Sequence, residues 1–294
     1  VPAAHDHAGR DRRGDRGARR GAVRRGRVHR LTVPDEIRDF AAFPGAFTPL
    51  PPRWERFENN RYILSIGGFE GLTFVQRLRL DPDEVESTIA EIQTLVRERN
   101  HHSTTWWVDD RATPPDLVER MLALGFRPGE EPRNEPRATG LALVEEPPGV
   151  EGVDVRPVEN VEEWWQAAEI ANEVFGVPEE DRRAQRSNAD QRFREQRETG
   201  QATVFLAWVD GKPAASAMVV WSPVGGLCLG GSTYEWARGR GAYRALVRAR
   251  WDAAVARGTP ALVVNAGRMS APILERLGFV AVAELHILTG DDWR

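Results

Sequence analysis

Between Tyr234 and Trp251 the chain reads YEWARGRGAYRALVRARW, with two glycines set among arginines directly before a helical run. Gly239 and Gly241 let a backbone approach an anion with no Cβ in the way, while Arg238, Arg240 and Arg244 add positive charge. A strand, such a loop and a helix together put free backbone N–H groups at the positive end of a helix dipole, which suits a phosphate or diphosphate. The same letters also describe a turn that merely starts a helix. The spacing excludes two familiar phosphate loops, because no Gly-Lys-Ser/Thr follows and the third glycine of a dinucleotide fingerprint is missing. Ala242 and Tyr243 open the helix, and the Tyr243 ring has two directions open to it: into the core with Val247 and Trp251, or across the anion.

Other residues could move protons. Glu235 follows the glycine-bearing strand GLCLGGST, Ser270 precedes a short helix, and Glu284 and His286 lie near the last strands. A surface glutamate is ordinarily a solvated one, and His286 sits in an alternating pattern that suits a half-buried structural side chain. His101 and His102 have neither a nearby cysteine nor a helical i, i+4 partner, so no metal site is expected. Gly230 and Gly231 inside a strand mark a bulge, a bend at a sheet edge, or a close approach of something to the backbone.

The elements that must carry these groups follow from periodicity and punctuation. In the first half, RYILSIGGFEGLTFVQRLRL reads as two strands about a glycine-bearing turn. DPDEVESTIAEIQTLVRERN reads as a helix capped by Asp81, with Pro82 at its first position and Glu84 behind the cap. A strand TTWWVDD and a helix DLVERMLA follow, then a Pro- and Glu-rich stretch and an apolar piece, LALVEEPPG. The Pro/Gly junction at Pro147–Gly149 predicts a domain boundary. Beyond it come a strand VDVRPV and a helix capped by Asn160 that carries Trp164 and Trp165, expected to be core. A polar helix over residues 179–198 precedes two strands about the hairpin signal Asp-Gly. The strand before the glycine loop, a helix over 242–257, a strand ALVVNAG, a helix APILERLGF and two last strands, VAVAEL and HILTG, complete the order. TTWWVDDRATPPDLVERMLALGF and TPALVVNAGRMSAPILERLGF share a strand, a loop, a helix and the ending LGF, so the halves read as two copies of one unit.

Composition narrows the class. With 294 residues, 41% hydrophobic and 29% charged, the chain suits two globular domains, and no apolar run is long enough for a membrane helix. The single cysteine, Cys228, excludes an internal disulfide and a thiolate metal cluster, reads as a buried structural thiol in the apolar run LCL, and fits a reducing cytoplasm. Residues 1–30 hold ten Arg against three Asp, a formal +7; with a total of −4, the remainder carries about −11. That tail lacks apolar periodicity and is expected to be disordered; it lacks the interleaved aromatics of a single-strand binder, so no specific nucleic-acid contact is expected.

The residues from Thr233 to Gly258, the strand ALVVNA and the helix ending ERLGF resemble the signature region of the Gcn5-related N-acetyltransferases (GNATs). The likeness covers Val153–Gly290 well and is much fainter over residues 45–145, where it rests on the repeat. It implies an α/β (α+β) fold: two GNAT-like domains at 31–147 and 148–294, each with a mixed, mostly antiparallel central sheet flanked by helices, behind the tail at 1–30. The family pattern Arg/Gln-x-x-Gly-x-Gly/Ala falls on Arg238, Gly239, Arg240, Gly241, Ala242 and Tyr243, so the resemblance implies that these amides bind the diphosphate of acetyl-coenzyme A or another acyl-coenzyme A. Gly231, Ser232 and Thr233 would then line the pantetheine arm, and Tyr243 stands where the family has Gly or Ala.

The first half has RLDPDEVE at the matching place, where Asp81, Asp83, Glu84 and Glu86 would repel a diphosphate, so coenzyme A is expected only in the second half. The resemblance implies acyl transfer to a small-molecule or protein amine with no metal, and the acidic body favours a cationic acceptor. The family's acid, a Tyr, is replaced by Leu274, and a frequent Asn by Gly267; Glu235 as base and Ser270 or a water as acid are the remaining candidates. A catalytically inactive protein that binds coenzyme A or a small ligand as a sensor or scaffold is the alternative.

Overall fold

The computed structural model describes residues 32–68, 71–131 and 135–291. The arginine-rich segment 1–30, expected to be disordered, lies outside them. The described residues build one 12-stranded sheet with helices on both faces. The first half contributes helix α1 (Asp35–Ala42), strands β1 (Glu55–Glu58), β2 (Ile63–Ile66) and β3 (Thr73–Gln76), helix α2 (Val85–Arg97), β4 (Ser103–Asp109), α3 (Leu117–Ala123), β5 (Arg127–Pro128) and β6 (Arg137–Leu143). The second contributes β7 (Asp154–Pro157), helices α4 (Val161–Val174), α5 (Glu179–Ser187) and α6 (Ala189–Thr199), β8 (Ala202–Val209), β9 (Lys212–Ser222), β10 (Gly225–Thr233), α7 (Ala242–Ala256), β11 (Leu262–Ala266), α8 (Ala271–Glu275) and β12 (Val280–Asp291).

Local chemistry explains the ends of these elements. Asp81 accepts the Asp83 N–H at 3.3 Å ahead of α2, and Asn160 accepts the Glu163 N–H at 2.9 Å ahead of α4, as their sequence positions predict. Asp210 and Gly211, with φ of 52° and 72°, make the tight turn between β8 and β9. The polar helix expected over 179–198 is two helices, because the chain breaks at Asn188, whose Nδ2 donates to the Ala184 carbonyl at 3.1 Å. The two last strands expected at the C-terminus are one continuous strand, β12. No turn residue separates Leu285 from His286, and the irregularity falls earlier, between Ala281 and Ala283.

The strand order is β1-β2-β3-β4-β12-β6-β11-β10-β9-β8-β7, with β5 added beside β12. The last strand of each half therefore lies in the other: β6 precedes the Pro147–Gly149 junction yet pairs with β11, and β12 ends the second half yet pairs with β4. The repeat seen in the sequence has a structural counterpart. β3 and β4 pair in parallel, as do β10 and β11, and each of β4 and β11 then meets an exchanged strand.

Side-chain alternation assigns the faces. Phe205 and Ala207 turn to the core under α7, whereas Leu206 turns to α4. Cys228 and Leu262 join the α7 side, while Leu227 and Val263 pack with α1. Helices α7 and α8 thus cover one face of the second half, with α1 and α4 on the other. No helix among the described residues is long and apolar enough to cross a membrane.

Candidate active site

β10 and β11 separate after two residue pairs, Gly226 with Leu262 and Leu227 with Val263. Beyond these, β11 follows β6 as far as Ala266 opposite Thr139, and β10 follows β9 as far as Thr233 opposite Ala215. A bulge between Leu229 and Ser232 bends β10 away, and Leu229, Gly230 and Gly231 are exposed along the opening. The result is a V-shaped gap between two strands that are hydrogen-bonded only on their outer sides.

A single 3-10 turn, Glu235–Ala237, carries the chain from β10 into the glycine loop. Gly239 and Gly241 have φ of 76° and 87°, the left-handed region that glycine enters without a Cβ penalty. Among the described residues, the N–H groups of Gly239, Gly241, Ala242, Tyr243 and Arg244 donate to no protein acceptor. They are the open donors of a helix start, and Arg238 and Arg244 stand exposed around them. Arg240 is engaged elsewhere, its Nη2 lying 2.6 Å from Asp210 Oδ2 on the β8–β9 turn. Gly241 has a packing role too, since a Cβ there would lie 2.9 Å from Val150 Cγ1.

The Tyr243 ring turns into the protein, against the bulge of β10. A Cβ on Gly231 would lie 2.7 Å from Tyr243 Cε2, so the close approach that this glycine signals is made by the protein's own ring. Burial pushes the Tyr243 phenol up from its ordinary pKa, with the Arg250 guanidinium pulling it part of the way back. Arg250 is 1% exposed; its Nε donates to the Leu246 carbonyl at 3.1 Å and its Nη2 has no partner among the described residues. Cys228 lies buried beside it, its thiol pushed up by burial.

The remaining candidates have distinct placements. Ser232 is buried and its hydroxyl meets that of Ser216 at 3.1 Å, while Ser216 donates to the Ala167 carbonyl at 2.8 Å, tying β10, β9 and α4 together. Thr233 is half-buried at the end of β10. Glu235 is exposed in the 3-10 turn, next to Tyr234, whose phenol is pushed up by burial and then by Glu173 and Glu169 of α4. Ser270 donates to the Gly267 carbonyl at 3.2 Å, a turn-forming bond, and Leu274 is buried in the core under α7. Glu284 lies opposite Thr139 of β6, which in turn lies opposite Ala266, so Glu284 and His286 stand two strands away from β11. Trp165 is buried beneath Arg186, 4.8 Å away, and Trp164 donates to Gln196 at 3.2 Å; both serve the packing of α4 on α5 and α6.

One residue at the gap escaped the sequence reading. Glu135, just before β6, accepts the Arg268 N–H at 2.7 Å and covers Gly267 at the end of β11. No local motif marks it, because it reaches the gap only through the exchange of β6 into the second half.

The matching gap in the first half is shut. After Phe74 with Thr105 and Val75 with Trp106, the backbone of Leu78 and Leu80 bonds to Thr113 at 3.2 and 3.1 Å. Arg79 forks onto the buried Asp109 with two bonds of 3.0 Å across the same space. Asp81, Asp83, Glu84 and Glu86 occupy the start of α2, where carboxylates favour the helix and disfavour an anion.

No protein-family model and no curated protein matches the chain. Solved structures do resemble it. A GCN5-related N-acetyltransferase from Kribbella flavida has a TM-score of 0.61 at 17% identity, covering 82% of this chain and 90% of its own. A tandem GNAT protein from the clavulanic acid biosynthesis pathway has a TM-score of 0.57 at 16% identity, covering 87% and 95%. A GCN5-related N-acetyltransferase from Sphaerobacter thermophilus has a TM-score of 0.52 at 13% identity, covering 79% and 81%. At such identities the likeness is one of fold: this chain has the fold of the GCN5-related N-acetyltransferases in their tandem arrangement.

Proposed function

We propose that the chain is an acyl-coenzyme A-dependent N-acyltransferase, with acetyl-coenzyme A as the simplest donor and an amine as acceptor. The observation that carries this reading is the set of amides, those of Gly239 and of Gly241 to Arg244, that have no acceptor among the described residues at the head of the V-shaped gap between β10 and β11. The diphosphate would take those amides, with Arg238 and Arg244 adding charge. The exposed backbone of Leu229–Gly231 would then pair with the pantetheine amides, beside Ser232 and Thr233. In this reading residues 148–294 form the cofactor-bearing copy, and residues 31–147 a degenerate copy that walls the site and supplies β6.

The chemistry asks mainly for positioning. An amine, once neutral, attacks the thioester carbonyl; the C–N bond forms, the C–S bond breaks, and the thiolate takes a proton. A carboxylate near the gap must take the ammonium proton, Glu235 in the 3-10 turn after β10 being the one the sequence offers, and water is the acid where Ser270 is held in its turn. The acidic body supports a cationic acceptor, whether a small amine or a protein amino group. A donor drawn from metabolism and a buried single thiol suit the cytoplasm. Calorimetric titration with acetyl-coenzyme A, followed by thiol release over a panel of amines, tests the proposal; the absence of binding refutes it.

A second reading, an inactive coenzyme A-binding protein, draws on two observations: Leu274 is buried where the family's acid stands, and the Tyr243 ring occupies the bulge. Binding without turnover of any amine supports it. Under this reading Tyr243→Ala, which frees the bulge, tightens acetyl-coenzyme A binding without creating turnover.

A further inference from the structure

Glu135 belongs to the first half in sequence but to the second in space. β6 begins two residues later and runs beside β11, which brings the Glu135 carboxylate over Gly267. A Cβ at position 267 would overlap that carboxylate, so the glycine makes room for it. Gly267 directly follows Ala266, the last residue of β11, so the carboxylate stands at the end of one wall of the gap. The exposed Leu229–Gly231 segment forms the other wall.

The carboxylate is half-buried, and its one partner among the described residues is the Arg268 N–H on Oε2. Among the described residues no arginine pairs with it; the Arg268 guanidinium lies instead 3.7 Å from Glu131. A carboxylate with no cationic partner among the described residues, at the end of the gap, is suited to an incoming ammonium group.

We infer that Glu135, delivered by the exchanged strand, is the catalytic base that receives the acceptor's ammonium in the second half's site; this rests on the acyltransferase reading above. The ammonium gives one proton to the Glu135 carboxylate, and the freed nitrogen lone pair attacks the thioester carbonyl. As the C–N bond forms and the C–S bond breaks, the sulfur keeps the electron pair and takes a proton from water. The second proton of the new amide nitrogen and the proton on Glu135 leave to solvent. The first half would then be a working part of the active site, although it holds no cofactor.

The test uses the full chain with acetyl-coenzyme A and with spermidine, kanamycin and a lysine peptide as acceptors. Glu135→Gln keeps an oxygen for the Arg268 N–H, so its melting temperature and acetyl-coenzyme A affinity should match the unaltered chain. Its kcat/KM should fall about 100-fold, the scale of a lost general base. Spermidine binding in the presence of coenzyme A should weaken as well, because the ammonium loses its counter-charge. Glu135→Ala should recover activity when formate is added, which a purely structural role would not allow. Unchanged kcat/KM in Glu135→Gln, or a loss that only follows the melting temperature, overturns the assignment and leaves the acyltransferase reading intact. Failure of the unaltered chain to bind acetyl-coenzyme A overturns both. Binding without turnover of any acceptor overturns the assignment and favours the inactive reading.

Discussion

The edge of the Tyr243 ring lies on the backbone of Gly231, tying the first turn of α7 to the bulge of β10. A Cβ at Gly231 would approach Cε2 to 2.7 Å, nearer than side chains pack, and Gly231 has no positive φ that would penalise alanine separately. Gly231→Ala should therefore cost about 1–3 kcal/mol through overpacking alone. In a Tyr243→Ala background the same change should cost less than about 0.5 kcal/mol, because the clash is gone. Urea denaturation of the four proteins measures the coupling; additive costs would mean that the ring and the glycine do not meet.

How much of this was legible in the sequence depends on range. Caps and turns are local, so Asp81, Asn160 and Asp210-Gly211 announced their structures in a few residues. The glycine loop and helix α7 were legible for the same reason. The direction of the Tyr243 ring was not, because it is decided by a strand bulge twelve residues earlier. The two glycines Gly230 and Gly231 signalled a close approach but not what approaches. Glu135 was invisible because its neighbourhood arises from strand exchange, with Arg268 lying 133 positions further along. Strand β1 and helix α1 also went unread, the first being a short charged edge strand and the second a helix whose Pro34 start offers no side-chain cap.

Arg250 presents the opposite problem, a charge sealed into the core under α7. It is 1% exposed, its Nη2 has no partner, and no carboxylate is paired with it among the described residues. Replacing a buried unpaired charge by an apolar side chain of similar length removes a desolvation cost, so Arg250→Met should stabilise the fold by about 1–2 kcal/mol. A lower melting temperature in the variant would show that the guanidinium is bonded more strongly than its geometry indicates.

Tyr62 and Glu91 give the first half an alkaline limit. The Tyr62 hydroxyl donates to Glu91 Oε1 at 2.6 Å, and burial together with that bond pushes the phenol up to about 12. Because the folded value lies above the ordinary 10.0, the contribution is fully present below pH 10 and is lost as pH rises through about 12. Glu91 is shifted the other way, held down chiefly by the Tyr62 bond, so its contribution is present above the ordinary carboxylate range and is lost in acid. Tyr62→Phe should cost about 1 kcal/mol at neutral pH and flatten the fall in melting temperature between pH 10 and 12. An unchanged alkaline slope would place the titrating group elsewhere.

The closed gap of the first half depends on Arg79 and Asp109. Asp109's side chain is 1% exposed and keeps the Arg111 N–H at 3.0 Å if Arg79 is removed. Arg79→Ala should therefore cost about 2–3 kcal/mol, at the lower edge of the loss for a broken buried pair. It should not create a second cofactor site, since the backbone bonds of Leu78 and Leu80 to Thr113 and the acidic start of α2 remain. Two acetyl-coenzyme A molecules bound per variant chain would contradict that account.

Under the proposed function, one acyl-coenzyme A binds each chain on the open amides at the start of α7. Calorimetric titration of acetyl-coenzyme A into the unaltered chain and into Arg244→Glu tests it most directly, because Arg244 is exposed and outside every described ion pair, so reversing its charge spares the fold. One site per chain is expected, with an affinity at least about 10-fold weaker in the variant, a loss of about 1.4 kcal/mol. No heat of binding, or equal affinity in the two proteins, would contradict it.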